Sequence, residues 1–291
     1  MSVLQSIFLG IVQGITEFLP VSSSGHLAIL EKIFHINTDG GMLFDIMLHV
    51  GTLAAVFVVY HKDIWRMIVE TFKMIGDLFA NLHIYILNRI HKTSLKYRRV
   101  VHNNYRKFVV LVLVSTIPTG LIGIIGKGLV SAAGQTLLIP GICLLMTGVL
   151  LLIADTIREG HKLPRQVTYK NGLLIGAAQG LATLPGLSRS GTTIAVCLLL
   201  GMDRRFAVKY SFILSIPAVL GAALLEVKDV IAEPIKTSQL GVYAIGMVFA
   251  AVVGYICIKT MLIVVKNKKF KYFSYYCFIV GAVAIAGHFL L

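Results

Sequence analysis

Eight apolar stretches, separated by polar segments, follow one another along the chain. They cover roughly residues 1–30, 42–60, 108–126, 136–155, 172–200, 210–226, 239–265 and 271–291. Most are close to the ~20 residues that an α-helix needs to cross the hydrocarbon core of a bilayer. Hydrophobic residues make up 57% of the sequence, whereas soluble domains contain about 45–50%. The pattern predicts an integral membrane protein built of helices.

The first and fifth stretches differ from the other six because each has a helix-breaking centre. Residues 20–25 read Pro-Val-Ser-Ser-Ser-Gly, and residues 185–191 read Pro-Gly-Leu-Ser-Arg-Ser-Gly. Proline and glycine in mid-segment leave backbone groups that lipid cannot satisfy. We therefore expect two re-entrant hairpins, within residues 1–30 and 172–200. The predicted fold is an all-α polytopic membrane protein with six transmembrane helices and two re-entrant segments.

The two interrupted stretches also carry one repeated motif. GIVQGITEFLPVSSSGH at residues 10–26 recurs as GAAQGLATLPGLSRSGT at residues 176–192, an offset of 166 residues. We therefore expect two related halves, 1–165 and 166–291, each with one re-entrant hairpin and three transmembrane helices. Because three is an odd number of crossings, the second half would be inverted relative to the first. In proteins of this kind the broken segments form a binding site near the membrane midplane.

The net charge of +14 is concentrated on one predicted membrane face. Twenty-one of the 27 lysine and arginine residues fall there, in segments 62–107, 158–170, 204–209 and 266–271. Four fall on the other face: Lys32, Lys127, Lys228 and Lys236. The positive-inside rule makes the basic face cytoplasmic and places both termini outside. Topology thus accounts for the charge, and nucleic acid is not expected as a partner.

The longest polar segment, residues 61–107, combines an amphipathic helix with a basic run. Between Ile64 and Ile90 the apolar residues recur at helical spacing, which predicts a helix on the cytoplasmic membrane surface. The run from Lys92 to Lys107 would be drawn to anionic lipid headgroups. The four cysteines lie in apolar stretches without the spacing of metal sites, so we expect them to pack.

Three ionisable residues in the repeated motifs are candidates for chemistry. Glu17 lies in an apolar stretch, where an ionised carboxylate is costly unless it faces a cavity or a partner. His26 follows nine residues later, beyond the Pro/Ser/Gly turn. Arg189 is a guanidinium in a turn that also offers backbone N–H groups, a combination suited to phosphate or diphosphate. The alternative for Arg189 is a purely structural ion pair with Glu17. The serine run 22–24 either caps the following helix or supplies a nucleophile.

These two motifs resemble the signature regions of the undecaprenyl-diphosphate phosphatases of the bacitracin-resistance type. GIVQGITEFLPVSSSGH and PGLSRSGTT carry the resemblance, which extends over nearly the whole chain. It implies a multi-pass enzyme of the bacterial plasma membrane that hydrolyses undecaprenyl diphosphate to undecaprenyl phosphate and phosphate. This reaction recycles the lipid carrier of peptidoglycan synthesis and confers bacitracin resistance. The resemblance also implies a divalent cation, Mg²⁺ or Ca²⁺, and a site open to the extracytoplasmic side.

By motif position, the resemblance assigns functional residues in both signatures. The expected catalytic residues are Glu17, Ser23, His26 and Arg189, with Glu17 as the metal ligand. The expected substrate-binding residues are Gln13, Ser22, Ser188, Ser190 and Thr193. Many members of the family have glutamate where this chain has Gln13. Glu17 would then share the cation with substrate phosphates, as proteins often bind Mg²⁺.

The residues permit a phosphoryl transfer in which Arg189 clamps the diphosphate, Ser23 attacks the terminal phosphorus and His26 handles the proton. Two variants stay open from sequence: His26 as the nucleophile, and attack by a water molecule held by Glu17. The alternative function is an inverted-repeat transporter or polyprenyl-phosphate flippase, because those proteins share the discontinuous segments. Small residues such as Gly120 and Gly148 permit either a homodimer or close packing within one chain.

Overall fold

The computed structural model describes residues 1–34, 41–232, 237–267 and 269–290 of the chain. Within them the secondary structure is helical, and no β-strand occurs in these ranges. The ten α-helices are α1 Val3–Phe18, α2 Ser23–Ile33, α3 Gly41–Ile90, α4 Asn104–Gly134, α5 Leu138–Thr156, α6 Tyr169–Leu181, α7 Arg189–Leu199, α8 Arg204–Ala232, α9 Thr237–Lys266 and α10 Phe270–Leu290. Lys236 and Lys268, both counted in the charge asymmetry, lie outside the described residues.

Six of these helices are long and apolar enough to cross a membrane: α3, α4, α5, α8, α9 and α10. They coincide with the six crossing segments that the sequence predicts. The first and fifth apolar stretches are instead pairs of short helices, α1–α2 and α6–α7. The helices of these pairs have 11 to 16 residues, fewer than the ~20 needed to span the hydrocarbon. The prediction of an all-α, multi-pass membrane fold is confirmed.

The short helix that opens each half packs closely on a long helix of the other half. α1 lies along α9, and α6 lies along α4. A side-chain carbon on Gly14 would lie 2.9 Å from the carbonyl oxygen of Ala250, and one on Gly180 would lie 2.7 Å from the Cβ of Ile122. Glycine at these two positions therefore lets the helix backbones approach. Gly14 and Gly180 occupy the same position in the repeated motif, so the same glycine allows close helix packing in both halves.

Buried hydroxyl groups join neighbouring helices across these contacts. Ser6 on α1 donates a hydrogen bond of 2.6 Å to the carbonyl of Val242 on α9. On the other side, Ser115 on α4 donates one of 2.7 Å to the carbonyl of Gly172 on α6. Within an apolar interior such bonds satisfy the hydroxyl and fix the register of the two helices. They hold α1 and α6 in defined positions.

Candidate active site

The two helix breaks meet each other inside the helical bundle. A side-chain carbon on Gly25 would lie 2.8 Å from the Cα of Gly186, and one on Gly191 would lie 3.1 Å from the Cβ of Pro20. Ser190 also donates a 3.3 Å hydrogen bond to the backbone carbonyl of Glu17. The repeated motifs, 166 residues apart in sequence, therefore form one site.

Each break ends in a serine that caps the next helix. Ser22 precedes α2, and its Oγ accepts from the N–H of Gly25 at 3.4 Å. Ser188 precedes α7, and its Oγ accepts from the N–H of Gly191 at 3.1 Å. Two helix N-termini with their partial positive charge therefore begin at the junction, an arrangement that favours anions. Ser22 has φ of 71°, a left-handed conformation that is strained for serine.

Glu17 is the centre of a hydrogen-bonded cluster at this junction. Its Oε2 accepts from the Ser23 hydroxyl at 2.6 Å and from the Gln13 amide at 3.1 Å. Its Oε1 forms an ion pair with the guanidinium of Arg189. The carboxylate is buried, and these partners compensate for the hydration that it loses there. Removing the Arg189 guanidinium alone would leave the Glu17 carboxylate as a buried, unpaired charge.

The cluster has the parts that an activated hydroxyl requires. The Ser23 hydroxyl points at a carboxylate that can accept its proton. Arg189 lies on the other side of the same carboxylate and keeps about a fifth of its side chain accessible, at 22%. A guanidinium in this position can bind the oxygens of a phosphate group in a bidentate manner. A hydroxyl, a carboxylate and a guanidinium thus converge at one point.

A cavity of about 640 Å³ opens beside the cluster, within the range of about 300–1,000 Å³ typical of ligand sites. Its polar end contains Glu17, Ser22, Ser23, Ser188 and Arg189. Its other walls are largely apolar, and much of this surface comes from α3 and α8: Met42, Ile46, Ala218, Val219, Ala222 and Ala223. Val130 of α4 and Ala182 beside α6 add to it, and the acidic side chains of Asp45 and Glu226 also line the cavity. The cavity therefore suits an amphiphile with an anionic head and a hydrocarbon tail.

The structure does not bring His26 into the cluster. One ring nitrogen, Nδ1, lies 2.7 Å from the carbonyl of Ser22, and the other, Nε2, lies 2.7 Å from the hydroxyl of Tyr276. The ring stacks on that of Tyr276, with centroids 5.5 Å apart. His26 is not among the residues that line the cavity. His26 therefore lies behind the residues that line the cavity, whereas the Ser23 hydroxyl contacts the Glu17 carboxylate directly.

Thr193 and Ser190 also point away from the cavity. Thr193 is fully buried, and its hydroxyl contacts the carbonyl of Arg189 at 2.8 Å and the hydroxyl of Ser211 at 2.5 Å. These contacts fix the first turn of α7 against α8. Ser190 ties α7 to α1 through the Glu17 carbonyl. Of the expected substrate-binding residues, Ser22 and Ser188 line the cavity.

His49 is a residue of the site that sequence reasoning missed. It lies on α3, lines the cavity, and places Nε2 3.9 Å from Oε2 of Glu17. Its Nδ1 lies 2.9 Å from the backbone carbonyl of Asp45, so Nδ1 carries a hydrogen that it donates there, and Nε2 faces the cluster. The sequence signal that could have identified His49 is its position as an ionisable residue within the apolar stretch 42–60. Nothing in the sequence links α3 to the repeated motifs.

The oxygens beside Glu17 fit a divalent cation that is shared with a ligand. The described residues contain no group of three or more histidine, cysteine or acidic side chains placed to hold a metal. Gln13, however, contacts the Glu17 carboxylate through its Nε2 and has a buried Oε1 without a hydrogen-bond partner. A carboxylate and an amide oxygen suit Mg²⁺ or Ca²⁺, and Mg²⁺ commonly takes its remaining ligands from water and substrate phosphates.

Comparison with known proteins gives one consistent result. The model of the family described as bacitracin resistance protein BacA matches residues 6–283. An undecaprenyl-diphosphatase of Alkaliphilus metalliredigens is 40% identical over 285 residues, which cover 98% of each chain. Proteins of the same description from Methanosphaera stadtmanae and Halothermothrix orenii are 38% and 37% identical over equal coverage. These similarities include both repeated motifs and the helices between them.

Proposed function

Because the chain belongs to the bacitracin resistance protein BacA family, we infer that it hydrolyses undecaprenyl diphosphate to undecaprenyl phosphate and inorganic phosphate. It is a membrane hydrolase whose activity confers bacitracin resistance. The observation that carries the chemistry is the Ser23 hydroxyl on the Glu17 carboxylate, with Arg189 on the other carboxylate oxygen. The apolar walls of the cavity accommodate the first isoprene units of the substrate.

In the proposed reaction, Ser23 is the nucleophile. Its Oγ–H bond breaks as Oγ bonds to the terminal phosphorus, and the proton passes to Oε2 of Glu17. The bond from that phosphorus to the bridging oxygen breaks, and undecaprenyl phosphate leaves. In the second step a water oxygen bonds to the phosphorus of the serine phosphate as the phosphorus–Oγ bond breaks. One water proton restores the Ser23 hydroxyl, and the proton held by Glu17 leaves with the released inorganic phosphate, which returns Glu17 to its ionised form.

Arg189 changes its partner during this cycle. In the resting site its guanidinium neutralises the Glu17 carboxylate. Once Glu17 accepts the proton of Ser23, that carboxyl no longer carries a charge, and Arg189 can neutralise the oxygens of the transferring phosphoryl group. The N-termini of α2 and α7 support the same charge from the backbone. Proton transfer and charge stabilisation are thereby coupled.

A divalent cation completes the proposed site. Glu17, while it is ionised, and the Oε1 of Gln13 would hold it, together with substrate phosphate oxygens. When bound, it would neutralise negative charge on the diphosphate.

The two halves are, in this proposal, inverted repeats. In this arrangement α1 corresponds to α6, and α4 corresponds to α9. The contact of α1 with α9 then corresponds to the contact of α6 with α4, as expected for two halves related by a two-fold axis in the membrane plane. α5 packs on α10 and α3 on α8, which are the self-paired contacts of such an axis. The basic segments lie on the cytoplasmic side, and the site opens to the extracytoplasmic side.

Phosphate release from undecaprenyl diphosphate by the purified protein in detergent tests this function. We expect release in the presence of Mg²⁺ or Ca²⁺ and a loss of about 10²-fold or more in Arg189→Lys, which keeps the charge but not the planar fork. The lysine variant is preferred to alanine because it leaves Glu17 with a cationic partner. No release by folded protein under any cation would refute the hydrolase and favour lipid transport.

A further inference from the structure

The distal half of α3 presents an uncovered apolar face. Beyond a local departure from helical geometry at Tyr60, the helix continues for 30 residues to Ile90. Trp65, Phe72 and Phe79 on this part are 68%, 70% and 67% exposed. With them, the apolar face comprises Ile68, Ile75, Leu78, Leu82, Tyr85, Ile86 and Ile90, all exposed in the same way. An exposed patch of this size marks a contact surface.

The opposite face of the same helix is already covered by the chain itself. Residues 91–103 return along it, and two asparagines hold them in place. Asn81 exchanges two hydrogen bonds, of 2.7 and 2.8 Å, with the backbone of Arg98. Asn88 does the same with Leu95, at 2.9 and 3.0 Å. The helix is therefore oriented: one side is closed by its own polypeptide, and the apolar face is left free.

An ion-pair network fixes the base of this unit. Arg106 at the start of α4 donates to Glu70 at 2.7 Å and to Asp77 at 2.5 Å, and it also bonds the carbonyl of Val100 at 2.7 Å. Arg98 adds a second cation 3.6 Å from Asp77. Glu70 and Asp77 are thus neutralised, whereas the lysines and arginines of residues 92–99 are exposed. The unit presents mainly positive charge to its surroundings.

The width of the apolar face distinguishes between two occupants. A two-stranded coiled coil uses a narrow seam of positions spaced three and four residues apart. Here Leu78 and Tyr85 add a further row beside that seam, so the face is as broad as that of helices that lie in a membrane interface. Between residues 62 and 107 the sequence has ten lysine and arginine residues but three acidic ones. That excess complements an anionic lipid surface.

We propose that the apolar face of α3 beyond Tyr60 lies on an anionic phospholipid surface, with the basic run from Lys92 to Arg99 held behind the helix, about one helix diameter from the headgroups. The helix bends at Tyr60 and runs along the membrane instead of projecting from it. This anchor lies on the membrane face opposite the mouth of the cavity. It is independent of the hydrolytic chemistry, and its test does not use activity.

The only tryptophan of the chain, Trp65, lies on this face and provides the probe. The full-length protein is reconstituted into vesicles of phosphatidylcholine and phosphatidylglycerol whose acyl chains carry bromine, which quenches nearby tryptophan. Two variants move the probe along the helix in a Trp65→Phe background: Phe72→Trp and Phe79→Trp. Lys73→Trp in that background is the matched control, because it is one residue from Phe72 but on the polar side.

We expect quenching at positions 72 and 79 to reach about half or more of that at 65, with little at position 73. Quenching that vanishes at position 79 would show that the helix projects into solvent and would overturn the proposal. If bromine does not quench the tryptophan emission at positions 72 and 79, and this emission changes with the protein-to-lipid ratio, the face contacts a second copy of the chain. That result would overturn it as well.

The contribution of the negative lipid charge is tested with vesicles that lack phosphatidylglycerol. Quenching at position 79 should then fall about two-fold or more. In low-salt buffer, where charge acts over a longer distance, Lys92→Gln with Lys96→Gln should lower quenching in anionic vesicles in the same direction. Equal quenching with and without the anionic lipid would refute the electrostatic attraction.

Discussion

At the scale of single residues, the site depends on the Glu17 carboxylate and its four partners. Glu17 accepts from Ser23 and Gln13, pairs with Arg189 and faces His49. Such a group is stable in the resting state and is well placed to take a proton from Ser23 when a phosphate arrives. The sequence motif identifies four of these five residues. The contact with His49 depends on how α3 packs.

Ser23→Ala should lose about 10³-fold or more of phosphate release, because it removes the nucleophile and leaves the rest of the cluster in place. Ser24→Ala is the matched control: Ser24 is the adjacent, exposed serine, with a weak 3.4 Å contact to Ser22, and we expect its rate to stay within about five-fold. Rates are measured with the same protein preparations under saturating substrate. Comparable rates for Ser23→Ala and the parent would exclude serine as the nucleophile.

Glu17→Gln should lower phosphate release by about 10²–10⁴-fold, because the amide keeps the size of the side chain but cannot accept the serine proton. Thermal unfolding followed in detergent checks that the variant is folded. Activity that persists at more than about a tenth of the parent rate would contradict the role of Glu17 as the base.

Gln13→Glu tests the cation site. A second carboxylate beside Glu17 raises the number of charged oxygens available to a hard cation, so we expect the Mg²⁺ concentration at half-maximal rate to fall about ten-fold. The measurement is a titration of phosphate release with Mg²⁺ at fixed substrate. An unchanged midpoint would place the cation away from Gln13.

At the scale of secondary-structure elements, the sequence predicted which segments cross and which are broken. Apolar length and the Pro/Ser/Gly centres are local signals, so the six long helices and the α1–α2 and α6–α7 pairs follow from them directly. The orientation of His26 does not, because its partner Tyr276 lies 250 residues away on α10. The sequence also does not predict that residues 91–103 run back along α3, because this path depends on the hydrogen bonds of two asparagine side chains.

Close packing of α6 on α4 depends on the absence of a side chain at Gly176. A Cβ there would overlap the carbonyl of Ser115 and lie 2.7 Å from Pro118. Gly176→Ala should therefore lower the unfolding temperature in detergent by several degrees, through overpacking that costs roughly 1–3 kcal/mol. Gly120→Ala on α4 has open space around it and should be neutral or slightly stabilising, since alanine favours helix. Equal shifts for both would show that the contact is not tight.

At the scale of the whole molecule, the position of the cavity determines which side of the membrane the substrate headgroup reaches. Lining residues Met42, Val130 and Glu226 lie near the start of α3, the end of α4 and the end of the apolar part of α8. These three helix ends are remote from residues 91–103, which join the opposite ends of α3 and α4. The cavity mouth and the basic segment are therefore on opposite faces. If the basic face is cytoplasmic, the site is extracytoplasmic.

Labelling of single introduced cysteines measures this orientation directly. We expect Gln135→Cys, between α4 and α5, to react with a membrane-impermeant maleimide in intact cells, and Lys96→Cys to react only after lysis. Both parent side chains are exposed, and the four native cysteines are buried and should stay unlabelled. The reverse labelling pattern would place the cavity mouth in the cytoplasm. The enzyme would then act on diphosphate headgroups on the inner face of the membrane, and the basic segment could not contact the inner leaflet.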